Sequence, residues 1–130
     1  ANVCAAIHST FQFLWVGFYR VVDKTLVLGP FQGPIACTRI SPNQGVCGAA
    51  WSANKPIRVN DVDAFPGHIA CSSESRSEIV VPISVDGQVV AVLDIDSHRL
   101  SDFSQIDEQA LVRISALLGD RYPFDASNES

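Results

Sequence analysis

The residue best suited to covalent chemistry is Cys71, in the run His68-Ile69-Ala70-Cys71-Ser72-Ser73-Glu74-Ser75-Arg76-Ser77. Its neighbours are small and polar, which points to partial exposure. The thiolate is the reactive form of a cysteine, and His68 and Arg76 could stabilise it. A loop cysteine packed against a sheet is the competing reading. Cys37 and Cys47 sit among glycines and prolines. Either one alone reads as a small core residue. Together they could resolve an oxidised Cys71 as a disulfide. Cys4 reads as a buried residue of a first helix.

Asp94-Ile95-Asp96 is the second feature. Residues two apart on a strand share a face, so two carboxylates would stand together after the apolar run 89–93. Neighbouring like charges raise one pKa and favour retention of a proton, which suits a general acid. A solvated strand end is the plainer alternative. Trp15 and Tyr19 also share a strand face, with Gly17 between them. The missing side chain at Gly17 would open a gap between two aromatic walls, wide enough for a methyl group. Ordinary core packing explains the same pattern. A zinc centre of His68, Cys71, Cys37 and Cys47 is disfavoured, because the spacings are long and irregular and no C-x-x-C knuckle is present.

These residues need a scaffold. Residues 1–10 read as the end of a helix, with Val3, Ala6 and Ile7 as its apolar positions. Strands are expected over 13–22 and 25–31 from their aromatic and β-branched content. A loop follows over 33–45, then a short helix over 46–53 carrying Cys47, and a short strand over 56–59. Residues 60–77 form a long loop, and loops of this length are usually functional. Segments 78–85 and 88–97 flank Asp86-Gly87, the usual pair for a tight type I′ hairpin. The stretch 104–118 reads as an amphipathic helix. Ser104 and Asp107 form its N-cap, and Ile106, Ala110, Ile114 and Leu117 its buried stripe. The order predicts an α+β domain, an antiparallel sheet covered by helices, with 1–130 as one domain.

The chain has 130 residues, 47% of them apolar and 18% charged, with a net charge of −5. That apolar content supports a core without metal or disulfide staples. An acidic chain repels phosphate backbones, which argues against nucleic acid as a partner. No apolar run approaches the ~20 residues of a membrane span. No signal peptide is recognisable at the start, so a cytoplasmic location is expected, where structural disulfides are rare.

Five stretches together resemble the free methionine-R-sulfoxide reductases, a catalytic version of the GAF fold. They are Trp15-Val16-Gly17-Phe18-Tyr19, the run from Gly29 to Cys37, the run from Gly45 to Ala50, His68 to Cys71 followed by Arg76 to Pro82, and Val92 to Ser97. The similarity runs from about Leu14 to Leu118. It implies that Cys71 is the catalytic cysteine, with Cys37 and Cys47 the resolving pair and Cys37 the likelier direct partner of Cys71. It implies that Glu78, Asp94 and Asp96 surround the sulfoxide and amino group, and that Trp15 and Tyr19 wall the S-methyl group. The implied substrate is free methionine-R-sulfoxide and the implied reductant is thioredoxin, with no bound cofactor and no metal. A homodimer is compatible with this reading. The first helix is shorter than the resemblance leads one to expect, and Cys4 is extra. A non-catalytic GAF sensory module binding a small ligand is the rival from another class, and it needs no reactive thiol.

One geometric condition follows. A two-residue Asp86-Gly87 loop pairs Val85 with Gln88. Counting outward then pairs Glu78 with Ile95, which turns Glu78 away from Asp94 and Asp96. A shared pocket therefore requires a β-bulge, or a Glu78 that precedes regular pairing. Pro82, which has no N–H to donate, is the candidate for the irregularity.

Overall fold

The structure is a computed structural model that describes residues 2–11, 13–34, 36–68 and 74–121. Helix α1 (Asn2–Phe11) leads into β1 (Trp15–Val22) and β2 (Thr25–Gln32). Then come β3 (Arg39–Ile40), α2 (Gly45–Ala53), β4 (Ile57–Val59) and a 3-10 turn at Val62–Ala64. The chain closes with β5 (Ser77–Val85), β6 (Gln88–Ser97) and α3 (Gln105–Asp120). The strands form one six-stranded sheet in the order β3-β2-β1-β6-β5-β4, antiparallel throughout. This is the expected α+β architecture, with β3 as a short strand inside the expected 33–45 loop. Among the described residues, no helix is long and apolar enough to cross a membrane.

Strand periodicity divides the sheet into two faces. Val16, Ile79, Val81, Leu93 and Ile95 point to the side covered by α1 and α3, where they meet Cys4, Ile7 and Leu111. Each such aliphatic side chain contributes about 1.5–3 kcal/mol when fully buried. Their neighbours Trp15, Tyr19, Val80 and Val92 point to the opposite side, where α2 brings Val46, Cys47 and Ala50. Asp86 and Gly87 have φ of 53° and 79°, as a type I′ turn requires.

Helix α3 begins with the expected capping box between Ser104 and Asp107. Its buried stripe is the expected one only in part, since Ile114 packs against the core and Ala110 is half-buried. Ile106 is 75% exposed and Leu117 62% exposed, while Leu111, Ser115 and Gly119 face the sheet. The reason is close approach. A Cβ on Gly119 would lie 2.7 Å from the Ser84 carbonyl oxygen, so small residues let the helix seat against β5.

Candidate active site

The hairpin register brings the carboxylates together. Val85 pairs with Gln88 and Ser84 with Val89, but Ile83 pairs with Ala91. Val90 is the extra residue of a bulge. From there pairing is regular, and Glu78 lies opposite Asp96. The required irregularity exists, one residue beyond Pro82, which itself pairs with Val92. On the other flank of β6, Trp15 pairs with Asp96, Gly17 with Asp94 and Tyr19 with Val92. Glu78, Asp94, Asp96, Trp15 and Tyr19 thus share one face and line one cavity of about 40 Å³. That volume accommodates roughly three water-sized groups at about 10–15 Å³ each. The first turn of α2 (Gly45, Val46, Cys47) closes another side. Gly48 lets α2 sit there, since a Cβ would lie 2.7 Å from the Pro42 carbonyl oxygen.

The aromatic gap over Gly17 is not open. A Cβ at Gly17 would lie 2.2 Å from Cη2 of Trp15 and 2.7 Å from Cβ of Phe31. The Trp15 indole itself fills the space. It stacks on Tyr19, with centroids 5.8 Å apart, and on Phe31, with centroids 5.6 Å apart. Gly17 is therefore a seat for Trp15, and the two aromatic rings present one continuous wall. The Trp15 Nε1–H is buried without a hydrogen-bond partner. The Tyr19 hydroxyl donates to the Cys37 carbonyl at 2.9 Å, so the wall also anchors the Cys37 segment.

The cysteines fall into distinct states. Cys37 is disulfide-bonded. Cys4 and Cys47 are free thiols, both buried. Cys4 packs between α1 and the sheet, its thiol directed at the Pro30 carbonyl, and burial raises it to about 11. Cys47 faces Asp94, and burial, then Asp94, hold its thiol well above its usual range. It is a protonated thiol and a poor nucleophile. Cys71, and with it the expected approach of its loop to Cys37, lies outside the described residues. The four-ligand zinc set is incompatible with Cys37 in a disulfide. Arg76 is exposed and does not line the cavity. His68 does line it, with Nε2 3.8 Å from Oε1 of Glu78, and burial lowers its pKa.

Electrostatically the cavity keeps its protons. Burial pushes Asp94 up to about 8, and Asp96 adds to the rise, while hydrogen bonds with Glu78 and Cys47 oppose it. Glu78 stands well above the carboxylate range through burial and then through Asp94. Asp96 shifts the same way, through burial and then Glu78. It keeps some surface exposed and accepts from Ser75 Oγ at 3.2 Å. Desolvation leads in all three, ahead of the like-charge repulsion that the Asp-x-Asp spacing suggests. Oδ1 of Asp94 is buried without a hydrogen-bond partner. No Lys or Arg is among the lining residues. A buried Asp94 carboxyl raised to about 8 keeps its proton at neutral pH, and beside an apolar wall it can deliver that proton to a departing oxygen.

Sequence reasoning missed several contributors. Ser75 sits in a long loop with no pattern to mark it. Phe31 reads as a strand residue, and only the bulge between Gly17 and Tyr19 in the β1–β2 pairing stacks it on Trp15. Gly45 and Val46 have no signal beyond lying next to Cys47.

The GAF-domain family profile matches residues 1–120. GAF domain-containing protein A of Dictyostelium discoideum is 56% identical over 119 residues, covering 91% of this chain and 75% of that protein. Free methionine-R-sulfoxide reductase of Escherichia coli (strain K12) is 49% identical over 119 residues, covering 91% of this chain and 72% of the relative. The X-ray structure of free methionine-R-sulfoxide reductase from Neisseria meningitidis in complex with its substrate superposes with a TM-score of 0.92 at 50% identity, covering 94% of this chain and 74% of that one.

Proposed function

The chain belongs to the free methionine-R-sulfoxide reductase family of GAF domains, and from that premise we propose that it reduces free L-methionine-R-sulfoxide to methionine with Cys71 as nucleophile. One observation carries this most directly. Three carboxyl groups, Glu78 and Asp94 buried and Asp96 half-buried, each with its pKa raised, meet an aromatic wall whose Tyr19 hydrogen-bonds the disulfide-bonded Cys37.

The Cys71 thiolate attacks the sulfoxide sulfur. A carboxylic acid of the cavity protonates the sulfoxide oxygen as the Cys71 sulfur bonds to the substrate sulfur, giving a sulfurane. The hydroxyl then passes to the Cys71 sulfur while the S–O and S–S bonds to the substrate sulfur break, so methionine departs and Cys71 becomes a sulfenic acid. The Cys37 thiol condenses with it, releasing water and forming a disulfide. A thioredoxin-type dithiol reduces the disulfide by exchange. No bound cofactor is needed, and the chemistry suits the reducing cytoplasm.

The same cavity sets the specificity. The ammonium of a free amino acid entering beside Glu78, Asp94 and Asp96 stabilises one carboxylate as an anion and leaves another acid to protonate the oxygen. A sulfoxide within a peptide brings no ammonium, and unmatched carboxyl burial costs about 2–5 kcal/mol. With the methyl on the wall and the oxygen at the acid, only one epimer presents its sulfur to Cys71. Thioredoxin-coupled turnover of free L-methionine-R-sulfoxide, the S epimer and N-acetylmethionine-R-sulfoxide tests this. The first alone should be turned over well. Comparable turnover of the N-acetyl compound would refute the closed acidic pocket.

A further inference from the structure

We propose that Cys47, Glu78 and Asp94 form an inhibitory binding site for a borderline divalent cation of the zinc class, with His68 as its fourth ligand. The Cys47 sulfur and one carboxylate oxygen each from Glu78 and Asp94 all lie within 4.8 Å of one another. Tetrahedral zinc with these donors places ligand atoms roughly 3.3–3.7 Å apart, so small side-chain rotations close the set. His68 Nε2 is already 3.8 Å from the Glu78 carboxylate and lines the same cavity.

A second observation within the cluster points to a cation. Asp94 is 5% exposed, and its Oδ1 is a buried acceptor with no hydrogen-bond partner. A buried acceptor of this kind is costly unless something satisfies it. No Lys or Arg among the lining residues is placed to do so. The cavity of about 40 Å³ has room for one ion.

The donor set selects the metal. A thiolate and an imidazole favour Zn²⁺, and its spectroscopic substitute Co²⁺, over Mg²⁺ or Ca²⁺. The imidazole of His68 ligates in its neutral form. The Cys47 thiol and the carboxylic acids must give up protons to bind, so uptake releases protons to solvent and strengthens as pH rises. Cys47 takes no part in the disulfide, so the site survives oxidation of Cys37.

The inhibitory effect rests on the function proposed above, because the ion and the substrate ammonium would compete for Glu78 and Asp94. Metal binding does not rest on it. The test therefore begins with the oxidised protein, in which Cys37 is blocked, titrated with Co²⁺. The expected result is a thiolate-to-cobalt charge-transfer band in the near ultraviolet, displaced by Zn²⁺. The band should persist in Cys4→Ser and vanish in Cys47→Ser, and Glu78→Gln should weaken Co²⁺ binding at least tenfold. Thermal melts of each variant show whether it is folded. If Cys47→Ser is not folded, Asp94→Asn takes its place, with the same tenfold weakening expected. Absence of the band in the folded wild-type protein, or a band that depends on Cys4, overturns the site. In steady-state turnover, Zn²⁺ should raise the apparent KM for free methionine-R-sulfoxide at least tenfold, reversibly with a chelator. Turnover untouched by Zn²⁺ overturns the inhibition. A cobalt band in a protein without sulfoxide turnover overturns the reductase reading and leaves the metal site standing.

Discussion

Glu78 and Asp96 are direct cross-strand partners, and a bulge five residues from Glu78 makes them so. Without the extra Val90, the tight turn at Asp86-Gly87 would set Glu78 opposite Ile95. A one-residue slip sends a side chain to the other face of the sheet. The bulge therefore decides that a third carboxyl joins Asp94 and Asp96 instead of pointing into the apolar layer beneath α3.

The protonated cavity predicts an unusual pH dependence of stability. Asp94 has its folded pKa raised from 3.8 to about 8. Between those values the folded protein holds a proton that the unfolded chain has released. Stability is then fully present below about pH 4 and is lost as pH rises through 8. Each pKa unit corresponds to about 1.4 kcal/mol, so the fall amounts to several kcal/mol, and Glu78 and Asp96 act in the same direction. Denaturant midpoints of the ligand-free protein should decline steadily from pH 5 to pH 8.5. Asp94→Asn, which cannot ionise, should flatten the decline. A wild-type midpoint that climbs over this range would show that the carboxyls are not buried as described.

Gly17→Ala should disturb the aromatic wall. The new Cβ would lie 2.2 Å from the Trp15 ring and 2.7 Å from Cβ of Phe31, so the indole must leave its place between Tyr19 and Phe31. Overpacking of this kind costs about 1–3 kcal/mol. Urea melts should show that loss, and KM for the sulfoxide should rise more than kcat falls. Unchanged stability and KM would mean that Trp15 can relocate freely.

Tyr19 links the aromatic wall of the proposed substrate site to the Cys37 segment. Its hydroxyl holds the Cys37 carbonyl, a bond worth about 1 kcal/mol. In Tyr19→Phe, disulfide formation should slow relative to methionine release, as followed by quenched single turnovers with thiol alkylation. Cys37→Ser should release one methionine per chain and then stall, because thioredoxin has no disulfide to reduce. Cys47→Ser should still oxidise at Cys37, and peptide mapping would reveal a failure to do so.

Much of this was legible in the residues. The Asp86-Gly87 hairpin, the Ser104 capping box and the placement of Cys47 on a short helix follow from local chemistry that needs no tertiary context. The need for a bulge was legible too, by counting residues. Its position was not, since any of several positions satisfies the count and packing chooses Ile83/Ser84. The buried face of α3 is legible at Ile114, which packs against the core, and not at Ser115 and Gly119, which are not hydrophobic. What buries them is the closeness of Ser84, a tertiary fact. Of the two readings of Gly17, space for a ligand and ordinary packing, the structure shows the second, with Trp15 in the space. A missing side chain does not say who fills the gap. The leading role of desolvation at Asp94 likewise depends on α2 covering the cavity, which the spacing of two aspartates cannot convey.

The central claim is that Cys71 reduces free methionine-R-sulfoxide at the cavity of Glu78, Asp94 and Asp96. The most direct measurement is methionine formation from free L-methionine-R-sulfoxide under thioredoxin recycling, in the wild-type protein and in Cys71→Ser. The account predicts sustained turnover in the first and no methionine above background in the second, even within a single turnover. Methionine formation by Cys71→Ser at a rate near that of the wild type would contradict it.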